Sequence, residues 1–388
     1  MARSLAPYIA IQTGWPSLWL GGPGTGKTKH TYQISDVLRR GLGHEPGGFP
    51  LVDIVLNTSE PSDVTGLPLI KGSTVERALP DWFSVLTEAG RGILFIDELT
   101  TSAPALQAAA LKLINERKID SHRLSDEVWI VACANPADEA AGGWDLAPPM
   151  ANRFWHYEWT VSPMDWADSF RDEFPEPTIP MLPPSWKAHV GEYRGLISGF
   201  IRSRQELLYQ LPEDEVEAGR AWPSPRTWDM TADLLAAAKA VNADGLSTTE
   251  LVTGATGRAG LELLTYIEQL DLPNPLELLR DPESFELPER GDLQYAIISS
   301  VGGAICKIIG DEIRRGVKDL SAHDHTWMSA WKILGAAARG GAADIATPTA
   351  RKMCLACWDE KNENNGLTVP TEYMEPYIEM LTAMEFFK

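Results

Sequence analysis

Cysteine is scarce, with four residues in 388 and no repeating spacing. That usage suits a reducing compartment and excludes a disulfide framework as the basis of the fold. Basic residues are also in deficit, 34 Lys and Arg against 54 Asp and Glu, for a formal charge of −20. Such acidity opposes general attraction to a nucleic-acid backbone, because counterion release needs a basic surface. The deficit is uneven: residues 1–163 carry 13 basic and 18 acidic side chains, and residues 164–388 carry 21 and 36. An acidic face that only maintains solubility and an acidic docking surface both fit this distribution. No apolar run reaches the roughly 20 residues that cross a bilayer, and no basic, apolar and small-residue leader opens the chain. A cytoplasmic protein without a membrane partner is expected. Length, 44% hydrophobic residues and 23% charged residues allow two or three globular domains.

Cys354 and Cys357 are the one cysteine pair at metal-ligand spacing. A zinc site needs about four ligands, and no second pair is present, although Cys306, His323 and His325 could converge on it. The pattern around residues 350–358 is helical, which favours two thiols on one helix face over a metal site. Cys133 lies inside an apolar run and reads as core.

What is present is a phosphate-loop pattern. Residues 17–28 read Ser-Leu-Trp-Leu-Gly-Gly-Pro-Gly-Thr-Gly-Lys-Thr, so that Gly21, four residues, Gly26, Lys27 and Thr28 follow an apolar strand and open a helix. A backbone that wraps a polyphosphate must turn its N–H groups inward through conformations that a Cβ obstructs, hence the glycines. Gly22, Pro23, Gly24, Thr25, Gly26, Lys27 and Thr28 are expected to bind the anion. Lys27 would meet the β and γ phosphates, Thr28 would offer its hydroxyl to Mg²⁺, and the helix N-terminus would add its positive end.

Residues 1–16 contain Pro7, Gly14 and Pro16 and are expected to form no regular element. Further strands are expected at 51–56, 92–97, 128–134 and 154–159. The third is a continuous apolar run ending in Asp97 and Glu98, as a parallel strand covered on both faces requires, and ligands bind beyond the C-terminal ends of such strands. Asp97 would support Mg²⁺ and Glu98 would orient the attacking water. Asn135 is the polar tip of the next strand and could bond the water or the γ phosphate, or simply start an Asn-Pro turn. Between these lie a turn-rich stretch at 57–71, read as a loop or short hairpin, and a helix after Ser102 and Pro104, followed by a polar connector at 118–127.

From Ser162 the apolar β-type runs stop and prolines crowd the chain. Helical periodicity then marks 196–211, 224–241, 261–270, 293–315, 328–338, 344–358 and 372–384. Ser224 and Pro225 start one of these helices with Arg226 in its first turn, where a cation opposes the helix dipole. A nearby phosphate would make sense of it; an aromatic-flanked cap is the plainer alternative. The glycine-rich run at 253–260 looks like a dinucleotide fingerprint but lacks the preceding strand and βαβ unit, so close helix packing explains it better.

With the phosphate loop, Ile-Asp-Glu at 96–98, Cys-Ala-Asn-Pro at 133–136, Asn-Arg-Phe at 152–154 and Ser-Pro-Arg at 224–226 in this order, the chain resembles AAA+ ATPases of the MoxR group, in the helix-2-insert clade. Glu60 to Gly66, Glu116-Arg117 and Trp144 to Arg153 look like a bacterial and phage branch of that group that often accompanies von Willebrand factor A-type partners. The likeness covers roughly residues 15–240. It implies a P-loop α/β core, 1–163, with a five-stranded parallel sheet, an α-helical lid, 164–285, and a C-terminal helical extension, 286–388, whose task it leaves unassigned. It further implies Walker A at 21–28, Walker B at Asp97 and Glu98, sensor 1 at Asn135, sensor 2 at Arg226, and at Arg153 an arginine finger reaching a neighbouring subunit's nucleotide. Residues 57–80 fall where the clade carries its pore-lining insert, here short on aromatic residues.

The resulting expectation is ATP and Mg²⁺ as ligands, a ring-shaped homo-oligomer, a hexamer in the family, and a remodelled protein partner. Two rivals belong to other classes. A nucleic-acid motor is opposed by the acidity, and a non-hydrolysing nucleotide switch is opposed by the intact Asp97, Glu98 and Arg153.

Overall fold

The computed structural model describes residues 4–136, 146–270, 272–357, 366–368, 370–374 and 377. Trp144 and Asp145, the Cys357 side chain and most of the expected 372–384 helix lie outside the described residues. The chain falls into two compact units, one of residues 1–182 with 209–261, the other of residues 183–208 with 262–388. These boundaries differ from the expected divisions at 163 and 285: the chain leaves the first unit, returns to it and leaves again.

The first unit is built on five parallel strands, β1 Ser17–Leu20, β2 Leu51–Val55, β3 Gly92–Asp97, β4 Val128–Ala134 and β5 Trp155–Glu158. Their order across the sheet is β2-β3-β4-β1-β5. Ser17 pairs with Val131 on one side and Trp155 on the other, and Phe95 pairs with Val131. β3 and β4 are almost wholly buried, as their continuous apolar runs require. β2 is an edge strand and leaves Asp53 and Val55 exposed.

Side chains alternate between the faces. On one face Trp19 stacks on Trp159, ring centroids 5.4 Å apart, and both meet His30 of helix α2, Lys27–Gly41. A helix absent from the sequence reading, α1 Ala6–Thr13, joins this face, with Tyr8 Oη 3.0 Å from His30 Nε2. Pro7 stands in its first turn, where a missing N–H costs nothing, and Gly14 closes it in the left-handed region at φ 87°. The other face packs Leu18, Ile96, Ile130 and Phe154 with Val64, Phe83, Leu86 and Leu113. The last three come from helices α3, Asp81–Ala89, and α4, Pro104–Glu116.

The 57–71 stretch holds a short helix, Pro61–Thr65, and enters an antiparallel hairpin of Leu67–Lys71 with Thr74–Ala78. A smaller hairpin joins Lys118–Ile119 to His122–Arg123. Helix α5, Pro163–Arg171, follows β5. The glycine-rich run becomes the end of helix Gly245–Thr256 and the start of helix Arg258–Gln269. A Cβ on Gly254 would lie 2.3 Å from the His156 carbonyl oxygen, so close packing on β5 accounts for that glycine.

The second unit is helical. Its helix Gly291–Arg314 buries Ile298, Val301, Ile305 and Ile309 against Trp327, Trp331, Ala346 and Met353. Among the described residues the window Leu293–Ile313 is long and apolar enough to cross a membrane, with mean hydropathy 1.4. This corrects the expectation that no run reaches that length; the buried isoleucines account for its apolarity as a core helix. Cys354 is buried in helix Ala343–Cys357.

Candidate functional site

Because β4 lies between β1 and β3, the sheet brings three tips together at its C-terminal edge: the loop after Leu20, Asn135 after β4, and Asp97-Glu98 at the end of β3. Adjacent strands are about 4.8 Å apart, so these side chains meet within reach of one another. Lys27 Nζ donates to the carbonyl oxygens of Gly21 and Gly22, at 2.5 and 3.0 Å, and to Asn135 Oδ1 at 3.1 Å. Asn135 Nδ2 faces Glu98 Oε2 at 3.4 Å. Thr28 Oγ1 donates to Asp97 Oδ2 at 2.9 Å.

The loop is held from two sides. Gly24 and Gly26 lie at φ 73° and 91° with nothing within 4 Å of where a Cβ would stand. Conformation, not space, therefore demands glycine there, and successive left-handed turns aim N–H groups into one concavity. Gly21 answers to space: a Cβ would lie 2.4 Å from the Trp159 carbonyl oxygen. Trp159 Nε1 donates to the Thr25 carbonyl at 3.2 Å, and Thr25 Oγ1 to the Gly22 carbonyl at 2.7 Å.

Glu98 occupies the left-handed region, φ 59°, which costs a non-glycine residue on the order of 1 kcal/mol. Three bonds fix it there. Its N–H donates to Asp97 Oδ1 at 2.9 Å, and Thr101 Oγ1 donates to its carbonyl and, at 2.7 Å, to its Oε2. Thr100 Oγ1 donates to the Asn135 carbonyl at 3.0 Å, which ties the two tips. Thr101, Thr100 and Trp159 escaped the sequence reading. The hydroxyl run Thr100-Thr101-Ser102, one residue beyond the two carboxylates, was the signal available.

The donors fit an ATP–Mg²⁺ complex. The concavity and Lys27 suit a polyphosphate, while the Thr28 hydroxyl and Asp97 carboxylate are hard oxygen ligands of the kind Mg²⁺ takes. Among the described residues no group of three or more His, Cys, Asp and Glu could hold a metal ion. A site with two protein oxygens suits an ion that takes its remaining ligands from phosphate and water.

Arg153 belongs to the opposite end of the sheet. Trp155 pairs with Ser17, where β1 begins, and Leu20 with Glu158, where β5 ends. Arg153 therefore precedes the start of β5 while the loop follows the end of β1. The paired stretch from Trp155 to Glu158 spans about 10 Å at 3.3 Å per residue, so Arg153 and the loop stand at opposite ends of these strands. Arg153 Nε donates to Asn115 Oδ1 at 3.0 Å and its Nη1 to the Pro149 carbonyl.

Arg226, expected against a phosphate, is close enough to Arg153 for the two charges to interact. Ser224 Oγ donates to Asn152 Oδ1 at 2.7 Å and Asn152 Nδ2 to the Trp222 carbonyl at 3.1 Å, which fastens the helix start beside Arg153. Partial burial, and then the Arg226 guanidinium, push the Arg153 pKa down.

No protein-family model matches this sequence, and no curated protein matches it. Among solved structures, that of a candidate ATPase from Cytophaga hutchinsonii is similar over 69% of this chain and 88% of its own, at 15% identity and a TM-score of 0.42.

Proposed function

We propose that this chain hydrolyses ATP with Mg²⁺, as an AAA+ ATPase of the MoxR type, at a seam between copies of itself. The carrying observation is the network at the three strand tips: Lys27 on Asn135, Asn135 on Glu98, and Thr28 on Asp97. These groups combine an anion cradle, a cation-ligand pair and a carboxylate able to orient water, which is what phosphoryl transfer to water needs. Lys27 would leave its loop carbonyls for the β and γ oxygens. Glu98, held by Thr101, would polarise the attacking water, and Asn135 would fix that water or a γ oxygen. Mg²⁺, held by Thr28 and through Asp97, neutralises phosphate charge when bound.

Arg153 would complete the site of the next copy, since it precedes β5 while its own loop lies beyond the other end of that strand pair, and Arg226, close enough to interact with it, would act alongside. A head-to-tail contact of this kind closes into a ring, for which the family's hexamer is the natural form. The hairpin 67–78 projects Ile70 and Val75, 83% and 63% exposed, which supports a role in gripping a protein passed through the ring. A partner of von Willebrand factor A type is the remodelling target proposed.

Phosphate release by the purified full chain with ATP and Mg²⁺ tests the reading. Glu98→Gln is expected to retain ATP binding while hydrolysis falls by about 10²- to 10⁴-fold, the usual worth of a positioned general base. Unchanged turnover in that variant removes Glu98 from the mechanism. A wild-type chain that neither binds nor cleaves ATP ends the proposal.

A further inference from the structure

Helix α5 buries none of its residues, yet it carries Met164, Trp166 and Phe170, which are 71%, 47% and 60% exposed. The rings are ordered against one another. Trp166 and Phe170 stack at 4.8 Å with planes 11° apart, and Phe174 meets both edge-on at 6.2 and 6.0 Å. Phe174 is brought there by two successive non-glycine residues in the left-handed region, Glu173 at φ 56° and Phe174 at φ 55°. Helices usually end in that conformation with glycine. Bulky side chains there store strain, a feature that clusters at functional sites.

The stack adjoins the phosphate loop. Lys29, the residue after Thr28, sets its Nζ 5.2 Å above the Phe174 ring, and Gln33 Nε2 donates to the Phe174 carbonyl at 3.3 Å. Sheet order fixes the direction of a bound nucleotide. Its γ end belongs with Asn135 and Glu98, on the β4 and β3 side of β1, so the base must leave on the β5 side. There the chain continues through Trp159, bonded to the Thr25 carbonyl, into α5.

We propose that Trp166, Phe170 and Phe174 form the platform on which the nucleotide's base stacks, recognising its π face. This rests on the phosphate-loop reading and adds to it the part of the nucleotide that the loop cannot distinguish. Aromatic faces hold bases in this way without edge hydrogen bonds.

Calorimetry with the full chain and Mg²⁺ separates the two ideas, with ATP and inorganic tripolyphosphate as probes. Trp166→Ala and Phe170→Ala are each expected to weaken ATP binding by roughly five- to a hundred-fold, the range for one base–aromatic contact. Tripolyphosphate affinity should stay as in wild type, and Trp166→Phe should recover most of the loss for ATP. ATP affinity left unchanged in the double variant overturns the platform while the loop reading stands; a shift in sedimentation without a change in ATP affinity does the same and assigns the rings to a contact between copies. Parallel loss of both probes also overturns it. A wild-type chain that binds neither probe overturns the loop reading and the platform together.

Discussion

Glu98 is the residue to which the proposed chemistry falls, and its backbone is strained at φ 59°. Its place at a strand tip was legible because an apolar run ending in two carboxylates reads as a buried strand and its C-terminal end. The residue that aims it was not legible: Thr101 reaches Glu98 Oε2 only because the chain turns through φ 59° at residue 98, and such a turn has no periodic signature. Replacing Thr101 by Val keeps the shape and removes both hydroxyl contacts to Glu98, of which the one to the carboxylate is worth roughly 1.5 kcal/mol. Steady-state kinetics should then give kcat lower by about tenfold with the KM for ATP little changed; equal kcat would leave Thr101 without a role. Two histidines make a second residue-scale prediction. Burial holds His30 and His156 down to about 4, and both lie in the first unit, His156 with Nε2 2.8 Å from the Ala151 carbonyl oxygen. The unfolded chain takes up these protons near pH 6.5, the folded chain only near 4. Stability is therefore complete above pH 6.5, falls as pH drops through that window and levels off below it, by up to roughly 3 kcal/mol per histidine. Urea midpoints between pH 5 and 7 should decline with acidification, and His156→Gln should flatten the decline. An identical slope in that variant would sink the assignment.

Elements were readable where their punctuation was read in the right sense. Pro7, Gly14 and Pro16 look like breakers, yet each stands where a short helix tolerates it: Pro7 in the first turn, Gly14 at the left-handed cap and Pro16 beyond the end. β3 and β4 were legible because strands buried on both faces must be continuously apolar. The pairing order was not, since periodicity states that a face is buried and not what buries it. The same gap hid the docking of helix Gly245–Thr256 on β5, where Trp155 Nε1 donates to the Leu251 carbonyl at 3.0 Å. Gly254 permits that approach. A methyl there would stand 2.3 Å from the His156 carbonyl oxygen and 2.5 Å from Trp155 Nε1, so Gly254→Ala must push the helix off the strand. Overpacking of this kind costs roughly 1 to 3 kcal/mol, and the urea midpoint should fall with the m-value unchanged. A midpoint equal to wild type would mean that the helix yields without loss.

For the whole molecule, composition marked the end of the strands near Ser162 but not the unit boundaries. The first unit runs on to residue 182 and takes back 209–261, and helical periodicity is blind to which core a helix serves. The two features of the first unit's layout on which the proposed turnover depends are the loop at one end of β1 and the Arg153–Arg226 pair at the other. If hydrolysis needs both, one copy cannot supply them to a single nucleotide, and activity becomes a property of neighbours. Arg153→Ala should then bind ATP normally and lose about 10³- to 10⁵-fold in hydrolysis, the worth of a finger supplied in trans. Lys27→Ala should lose hydrolysis for the opposite reason, having no loop to hold ATP while its arginines remain intact. Mixing the two inactive variants places good loops opposite good arginines at a fraction of the seams, so phosphate release should reappear above the sum of the separate rates and depend on mixing ratio and protein concentration. Arg226→Ala should complement in the same direction as Arg153→Ala, because the two guanidiniums are close enough to interact. Wild-type hydrolysis by Arg153→Ala at every concentration, or mixtures as inactive as their components, would place the whole reaction within a single chain and contradict the separation of the two ends.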